Sequence, residues 1–468
     1  MIYSASRRVS IASALLVASL TLAPRWAAAL SVNTNEEQLV LSGSDRILIL
    51  APHPDDEVLA CGGIIQRAVA LNLPIRIVFA TYGDNNELSF LVYRKHPVIF
   101  PENVRAMGQV RHEEALKAAA TLGLSTNNVI FLGYPDFGMM HLWNEHWGDD
   151  ELPFRSMLTR VTGVCYPSAY RPGAPFKGEE VLRDLISVLR DFKPTKVFVS
   201  HPGDHNPDHR ALYLFTRVAL WDLEREMKPD IIPYLVHYRN WPKPVKYEPE
   251  MKLEPPPAFC NVLNWKISPL SPSEVEKKKT ALEQHHSQVE YNSRYLLSFV
   301  RNNELFGDFS VVPIPTNQPA EFDTLDPVKS PEDQEDENLT DEEKAVFVGL
   351  EKRRIHIEGD DLVLTVQFDR PLASMVELSI FIFGYRANIP FEQMPKLHLK
   401  IGAVKHQCLN RTFLLPGETV SLSRKAREVT VRISLKTLGN PDRILTSART
   451  YMGDVPLDWV SWRVLDMH

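Results

Sequence analysis

From Arg46 to about residue 310 the chain repeats one pattern, a short apolar run followed by a longer stretch with helical spacing. The run "RILIL" (Arg46 to Leu50) is apolar at four successive positions, and "VLACGGIIQRAVALN" follows with apolar residues on a helical period. "PIRIVFAT" (Pro74 to Thr81) repeats the first element, and "RHEEALKAAATLGL" repeats the second, with Gly123 placed to end the helix. "NVIFLGY", "GEEVLRDLISVLRDF" and "TKVFVS" (Thr195 to Ser200) continue the alternation. "SPSEVEKKKTALEQHHSQV" opens with a capping box, Ser271 to Glu274, and has Pro272 at its first helical position. Strands apolar on both sides must be covered on both sides. The expected fold is therefore α/β, a Rossmann-like, mainly parallel sheet with helices on both faces.

The period then changes. Leu362, Leu364, Val366 and Phe368 alternate with other residues, as do Val376, Leu378, Ile380 and Ile382, and later Val429, Val431, Ile433 and Leu435. Period two with turn residues between the runs predicts a C-terminal antiparallel β-sandwich. The chain has 468 residues, more than one ordinary core accommodates, so two domains are expected. Between Glu321 and Lys344 lie eleven acids and two lysines, a net charge of -9. The expected organisation is a leader over 1–29, an α/β domain over 40–312, an acidic, proline-rich linker over 313–346 and the sandwich over 347–468.

The leader reading rests on a basic start (Arg7, Arg8), an apolar run from Ile11 to Ala23 and small residues at Ala27 to Ala29, the pattern of a secretory signal. The mature chain is then expected to be exported, periplasmic or extracellular, with no integral membrane span. The formal charge of -7 becomes -10 once Arg7, Arg8 and Arg25 are removed (-7 minus 3). No basic stripe stands out, which argues against a nucleic-acid partner. Four cysteines, Cys61, Cys165, Cys260 and Cys408, form no CxxC pair and read as small hydrophobes.

In a parallel α/β sheet, ligands bind beyond the carboxyl ends of the strands. Two polar clusters sit at such ends. "PHPDDE" follows the first strand and places His53, Asp55, Asp56 and Glu57 together; "HPGDHNPDHR" (His201 to Arg210) follows "TKVFVS". Three adjacent carboxylates repel each other, and a divalent cation relieves that. Imidazole and carboxylate are zinc ligands, and three of them leave a position for water. One acid should bind metal while a neighbour accepts the proton of the attacking water. Residue order alone does not say which acid does which. The plain alternative is a polar turn with an Asp capping the helix, which leaves the second cluster unexplained. Glu57 reads as a first-turn acid favoured by the helix dipole. Asp84, at another strand end, lines the site or makes a turn. His285 and His286 lie on a helix, one toward the site and one toward solvent. His141 and His146 read as an aromatic insertion loop, and Asn338 and Asn410 fit N-x-T patterns.

"PHPDDE" with a downstream "NPDHR", together with "RHEEALKAAATLG", "LGYPD" and "HHSQ", resembles the PIG-L/LmbE-like zinc deacetylases over roughly Arg46 to Val300. The resemblance implies His53, Asp56 and His209 as ligands of Zn2+, or of another divalent metal. It implies Asp55 as the base that activates water, Asp208 as an acid that orients a neighbouring catalytic group, and Arg111 as a substrate contact. Many members carry His where this chain has Asn206, a residue that donates a hydrogen bond but does not titrate. His205, His201 or His237 is then left to supply the acid, and His205 and Asp84 join Arg111 as candidate substrate contacts.

The implied activity is removal of N-acetyl groups from N-acetylglucosamine-type sugars in a glycan or glycoconjugate. The alternatives are a non-catalytic carbohydrate-binding protein on the same fold and an amidase acting on a non-sugar conjugate. In the sandwich, Trp459 or Trp462 would be the sugar platform if that domain binds carbohydrate.

Overall fold

The apolar runs form the middle of one eight-stranded sheet. In the computed structural model, residues 37–85, 100–323 and 339–467 are described. The expected leader and Asn338 lie outside them. The strands are β1 (Glu37–Gln38), β2 (Ile47–Ala51), β3 (Ile75–Thr81), β4 (Val129–Tyr134), β5 (Lys196–Ser200), β6 (Asp230–Tyr234), β7 (Lys266–Pro269) and β8 (Asn303–Phe306). Their order is β1-β7-β8-β6-β5-β2-β3-β4. Every pair is parallel except those of β8 with β6 and β7. The chain moves outward from β2 to β3 and β4, then returns to place β5 on the other side of β2. The crevice between β2 and β5 is thus the switch point at which doubly wound sheets bind ligands.

The helices are α1 (Asp56–Ala70), α2 (Pro101–Leu122), α3 (Met139–Glu145), α4 (Gly178–Phe192), α5 (Pro207–Asp222), α6 (Pro272–Leu282) and α7 (His286–Leu296). Two local signals work as read. Gly123 ends α2 at φ 93°, a conformation that favours glycine, and Ser271 and Glu274 form the reciprocal capping box of α6. The stretch around His141 and His146, read as an insertion loop, holds α3. Its Trp143, and Trp147 just after it, are fully buried, so these aromatics serve the core. Cys61 and Cys408 are buried, Cys165 and Cys260 are partly exposed, and all four are free thiols.

The C-terminal strands are β9 (Val312–Pro313), β10 (Ala320–Asp323), β11 (Leu350–Glu358), β12 (Asp361–Phe368), β13 (Glu377–Tyr385), β14 (Lys396–Ile401), β15 (His406–Asn410), β16 (Phe413–Leu414), β17 (Val420–Lys425), β18 (Glu428–Ser434), β19 (Arg443–Met452) and β20 (Val455–Asp466). They make two sheets, β10-β11-β12-β18-β17 and β16-β15-β14-β13-β19-β20-β9. The alternating residues noted in the sequence, among them Leu364, Val366, Ile380 and Ile382, fill the space between the sheets. The stretch read as a solvated linker differs in its described parts. β9 pairs with β20 and β10 with β11, and Glu321 meets Lys352 at 3.4 Å. An open sheet edge offers unpaired backbone groups to an extended segment, and Glu321, Asp341 and Glu342 stay exposed.

The opposite face of the seven-stranded sheet is also apolar. Phe381, Phe383, Tyr385 and Trp462 belong to the same core as the α/β sheet. Phe383 stacks on Trp143 at 5.7 Å between centroids, and Trp462 meets Trp143 edge-on at 6.1 Å. Tyr385 donates to Asp222 at the end of α5, and Arg443 pairs with Glu224 at 2.8 Å. The described residues form one compact unit. Trp462, only 5% exposed, is therefore a core residue and not a sugar platform.

Candidate metal centre at the switch point

The loop after β2 is folded tightly. Thr81, at the end of β3, donates both its backbone N–H and its hydroxyl to the Pro52 carbonyl. Asp55 precedes α1 with φ 126°, a strained conformation for a residue with a side chain. Its carboxylate makes no capping bond, so the plain helix-cap reading fails. Such strain is characteristic of functional sites.

The three adjacent acids have three different partners. Asp55 lies 3.5 Å from Arg111 of α2. Asp56 Oδ2 lies 3.4 Å from His53 Nδ1 and 3.2 Å from His209 Nε2, and it also accepts the His53 backbone N–H. Glu57 is fully buried, with Oε1 3.0 Å from His285 and Oε2 accepting the Asp55 N–H. Glu57 thus does more than favour a helix dipole. It ties the loop to the start of α7, while His286 is exposed.

His53, Asp56 and His209 bring one ligand atom each within 4.8 Å of one another, and all three are buried. A second group, His53 with Asp136 and Asp208, satisfies the same distance. Both oxygens of Asp208 are engaged, accepting the N–H groups of Phe137 and Met139, while Asp136 accepts that of Asn85 through Oδ2 and leaves Oδ1 facing His53 without a hydrogen bond. In the first group, the buried Asp56 Oδ1 and His209 Nε2 make no hydrogen bond. Buried polar atoms without partners are costly, and a cation would satisfy both. The donor set therefore fits a zinc-like metal at His53, Asp56 and His209.

Each histidine also has carboxylates behind it. His53 Nε2 lies 3.1 Å from Asp136 and 3.3 Å from Asp208. His209 Nδ1 faces Asp204 at 3.1 Å, though off the line of a good hydrogen bond. Carboxylate–histidine–metal chains of this kind orient the ring and raise its basicity. Burial opposes protonation of His209, but Asp204 and Asp56 outweigh it and push the ring up to about 9. The cluster attracts positive charge, whether as protons or as a metal ion. Asp55 is raised to about 7, by burial first, with Arg111 pulling it down and Asp56 pushing it up. A cation beside it acts in the same direction as Arg111.

A pocket opens over this cluster, with His53, Asp55, Arg111, Asn206 and His237 on its walls. Gln288, Asn292 and Tyr295 of α7 form another side. Arg111 reaches the pocket, but its guanidinium donates to the carbonyls of Gly83 and Pro54, both at 2.6 Å, and so braces two loops. Asn206 caps α5 by accepting the Asp208 N–H at 2.9 Å, which leaves its amide NH2 as its remaining donor. Asp208 is fully buried 3.3 Å from His53 Nε2 and is not part of the pocket wall. Two expected substrate contacts are absent from the pocket walls. Asp84 is held by the Tyr166 hydroxyl, and His205 is an exposed residue whose ring meets the Trp459 ring edge-on. Of the three histidines left to replace a titrating group at Asn206, His201 is enclosed, with Nδ1 accepting the Gly203 N–H, and His205 lies outside. His237 is the one on the wall, 4.8 Å from the His209 ring.

Asp136 and Asp204 were not singled out in the sequence. Each follows a strand, β4 or β5, at the same carboxyl edge that drew attention to His53. That positional rule was the available signal.

The fold and site define a doubly wound α/β domain with a two-histidine, one-aspartate centre at its switch point. Residues 48–220 match the family model described as PIG-L, GlcNAc-PI de-N-acetylase. The 1D-myo-inositol 2-acetamido-2-deoxy-alpha-D-glucopyranoside deacetylase 1 of Saccharopolyspora erythraea is 27% identical over 195 residues, 39% of this chain and 55% of that protein. The corresponding deacetylase of Mycolicibacterium smegmatis is 25% identical over 179 residues, 38% of this chain and 53% of that protein. The chain thus spans about half the length of the curated relatives it matches. Among solved structures, N,N'-diacetylchitobiose deacetylase from Pyrococcus horikoshii is 19% identical, with a TM-score of 0.31 over 52% of this chain and 70% of that one.

Proposed function

We propose that this chain is an exported, zinc-dependent amidase that removes N-acetyl groups from N-acetylglucosamine-type sugars. The observation that carries the reading is the buried His53–Asp56–His209 group, with unbonded ligand atoms, beside Asp55 on the pocket wall. The family match and the acetamido-sugar substrates in the relatives' names support the acetyl group as leaving acid. The leader pattern supports export.

His53, Asp56 and His209 would hold a zinc ion, which would supply Lewis acidity for the amide carbonyl and for water. The remaining steps belong to the side chains. Asp55 accepts a proton from the attacking water as the new C–O bond forms. Arg111 favours the ionised form of that carboxylate against the effect of burial and fixes the loop that carries it. Burial pushes His237 down to about 4 against the pull of Asp204, so its ring acts as a neutral N–H donor. The amide NH2 of Asn206 is a second donor on the same wall, suited to an oxygen that gains negative charge. When the C–N bond breaks, the proton held by Asp55 goes to the departing amine. The products are acetate and a free amino sugar, and one carboxyl group serves as base and then as acid.

Acetate release from N,N'-diacetylchitobiose and longer N-acetylglucosamine oligomers tests this reading. Activity should disappear with a chelator, return with zinc and be lost in Asp55→Ala. Equal release by the wild-type and Asp55→Ala proteins would sink the mechanism. Release from non-sugar acetamides alone would sink the substrate class.

A further inference from the structure

The loop between β5 and α5 delivers His209, and it is held from two sides. On the inner side Asp204 bridges it. Its Oδ1 accepts the Asn206 N–H at 2.8 Å, and its Oδ2 accepts the N–H groups of Val236 at 3.1 Å and His237 at 2.9 Å while facing His209. On the outer side Arg210 Nη1 donates to the carbonyls of Asp204 at 2.9 Å and His205 at 3.0 Å. The Arg210 guanidinium lies on the ring of Trp459, 4.4 Å from Cζ to the centroid, and the same ring meets His205 at 5.3 Å.

Trp459 belongs to β20, a strand of the C-terminal sheets, and not to the α/β sheet. The pairing of β20 with β19 shifts between Thr446 and Ala448, so that Ser461 and Trp462 together oppose Ser447. A bulge of this kind re-aims side chains. Trp462 enters the shared core, and Ser461 comes so close to the loop that a side chain at Gly203 would sit 3.0 Å from its hydroxyl.

We infer that Trp459 is a positioning residue for the metal centre. It clamps Arg210, Arg210 fixes the backbone of Asp204 and His205, and the fixed Asp204 carboxylate holds the His209 ring in its ligand orientation. The C-terminal sheets thereby complete the site instead of acting as a separate accessory. The inference rests on the metal centre proposed above.

The test is zinc affinity of the whole chain, stripped of metal and titrated in competition with a chromophoric chelator. The variants are Trp459→Leu, Trp459→Phe and Phe383→Leu, the last changing the shared core away from the loop. Trp459→Leu should weaken zinc binding about tenfold, the lower end of the range for residues that support a metal ligand, and Trp459→Phe should restore most of it because it keeps an aromatic face. Phe383→Leu should lower the melting temperature and leave zinc affinity unchanged. Unchanged zinc affinity in Trp459→Leu overturns the inference and leaves the metal centre standing. So does a higher KM for oligosaccharides with unaltered zinc binding, which would make Trp459 a sugar platform. Loss of affinity in Phe383→Leu equal to that in Trp459→Leu also overturns it. A wild-type chain that binds no zinc overturns both readings.

Discussion

Trp462→Ala tests whether the α/β sheet and the C-terminal sheets are one cooperative structure. Trp462 is 5% exposed and touches Trp143, Phe381 and Phe383, so its ring spans the contact between the two parts. A tryptophan side chain buries about 150–250 Å². At about 25 cal/mol per Å² that corresponds to roughly 4–6 kcal/mol. Measured truncations of buried aromatics to alanine cost about 3–5 kcal/mol, because the hole closes only in part. We expect a loss of about 4 kcal/mol, a large share of the 5–15 kcal/mol typical of a folded domain. Urea unfolding followed by far-UV circular dichroism and by tryptophan fluorescence should give coincident transitions in both proteins, with the variant shifted to lower urea. A loss below about 0.5 kcal/mol, the range of ordinary surface changes, would refute the shared core. So would two separated transitions of which the substitution moves only one.

Three further outcomes follow from the site. Asp204→Asn keeps the shape but removes the charge behind His209, and should weaken zinc binding about 10–100-fold in a chelator competition. Because Arg111 lowers the Asp55 carboxyl while burial raises it, Arg111→Gln should move the acid limb of the activity profile upward by about one pH unit. The sign is fixed by the need for an ionised Asp55: activity is lost as pH falls through that limb, so a raised carboxyl loses it sooner. A limb that stays in place would mean that Asp55 is not the titrating base. Gly83 has φ 64°, and a side chain there would run into the Arg111 guanidinium, so Gly83→Ala should cost about 1–3 kcal/mol in thermal unfolding and also lower activity.

The parallel sheet was legible because each central strand is apolar and ends in a polar cluster. Periodicity reports which residues are covered, and β2, buried along its whole length, leaves no doubt about that. Strand order was not legible. Nothing within "RILIL" and "TKVFVS" says that β2 and β5 are neighbours, yet that adjacency brings His53 and His209 together. The sandwich was legible from alternation, but its attachment was not read. In "ELSIFIFGY" the alternating Leu378, Ile380 and Ile382 drew attention, while Phe381, Phe383 and Tyr385 lie on the other face. A strand apolar on both faces is covered on both, the same argument that revealed the parallel sheet.

The site divides in a similar way. Residue types pointed to a divalent cation at the two strand ends, because imidazoles and carboxylates are costly to bury without one, and the family resemblance assigned His53, Asp56 and His209 to it. They did not identify the supports, because Asp136 and Asp204 look like turn acids until the ring behind each is placed. The crowding of Asp55, Asp56 and Glu57 illustrates the difference. Their charges are balanced separately, by Arg111 from α2, by His53 and His209, and by His285 at the start of α7. Three carboxylates in sequence therefore require three distant segments to converge, and each segment brings a residue of the pocket with it. Arg111 lines the wall beside Asp55, Asn206 lies three residues before His209, and Gln288 lies three after His285. In this chain, balancing the acids and building the pocket are achieved by the same convergence. A substitution that frees one acid from its partner should accordingly disturb substrate contacts as well as charge.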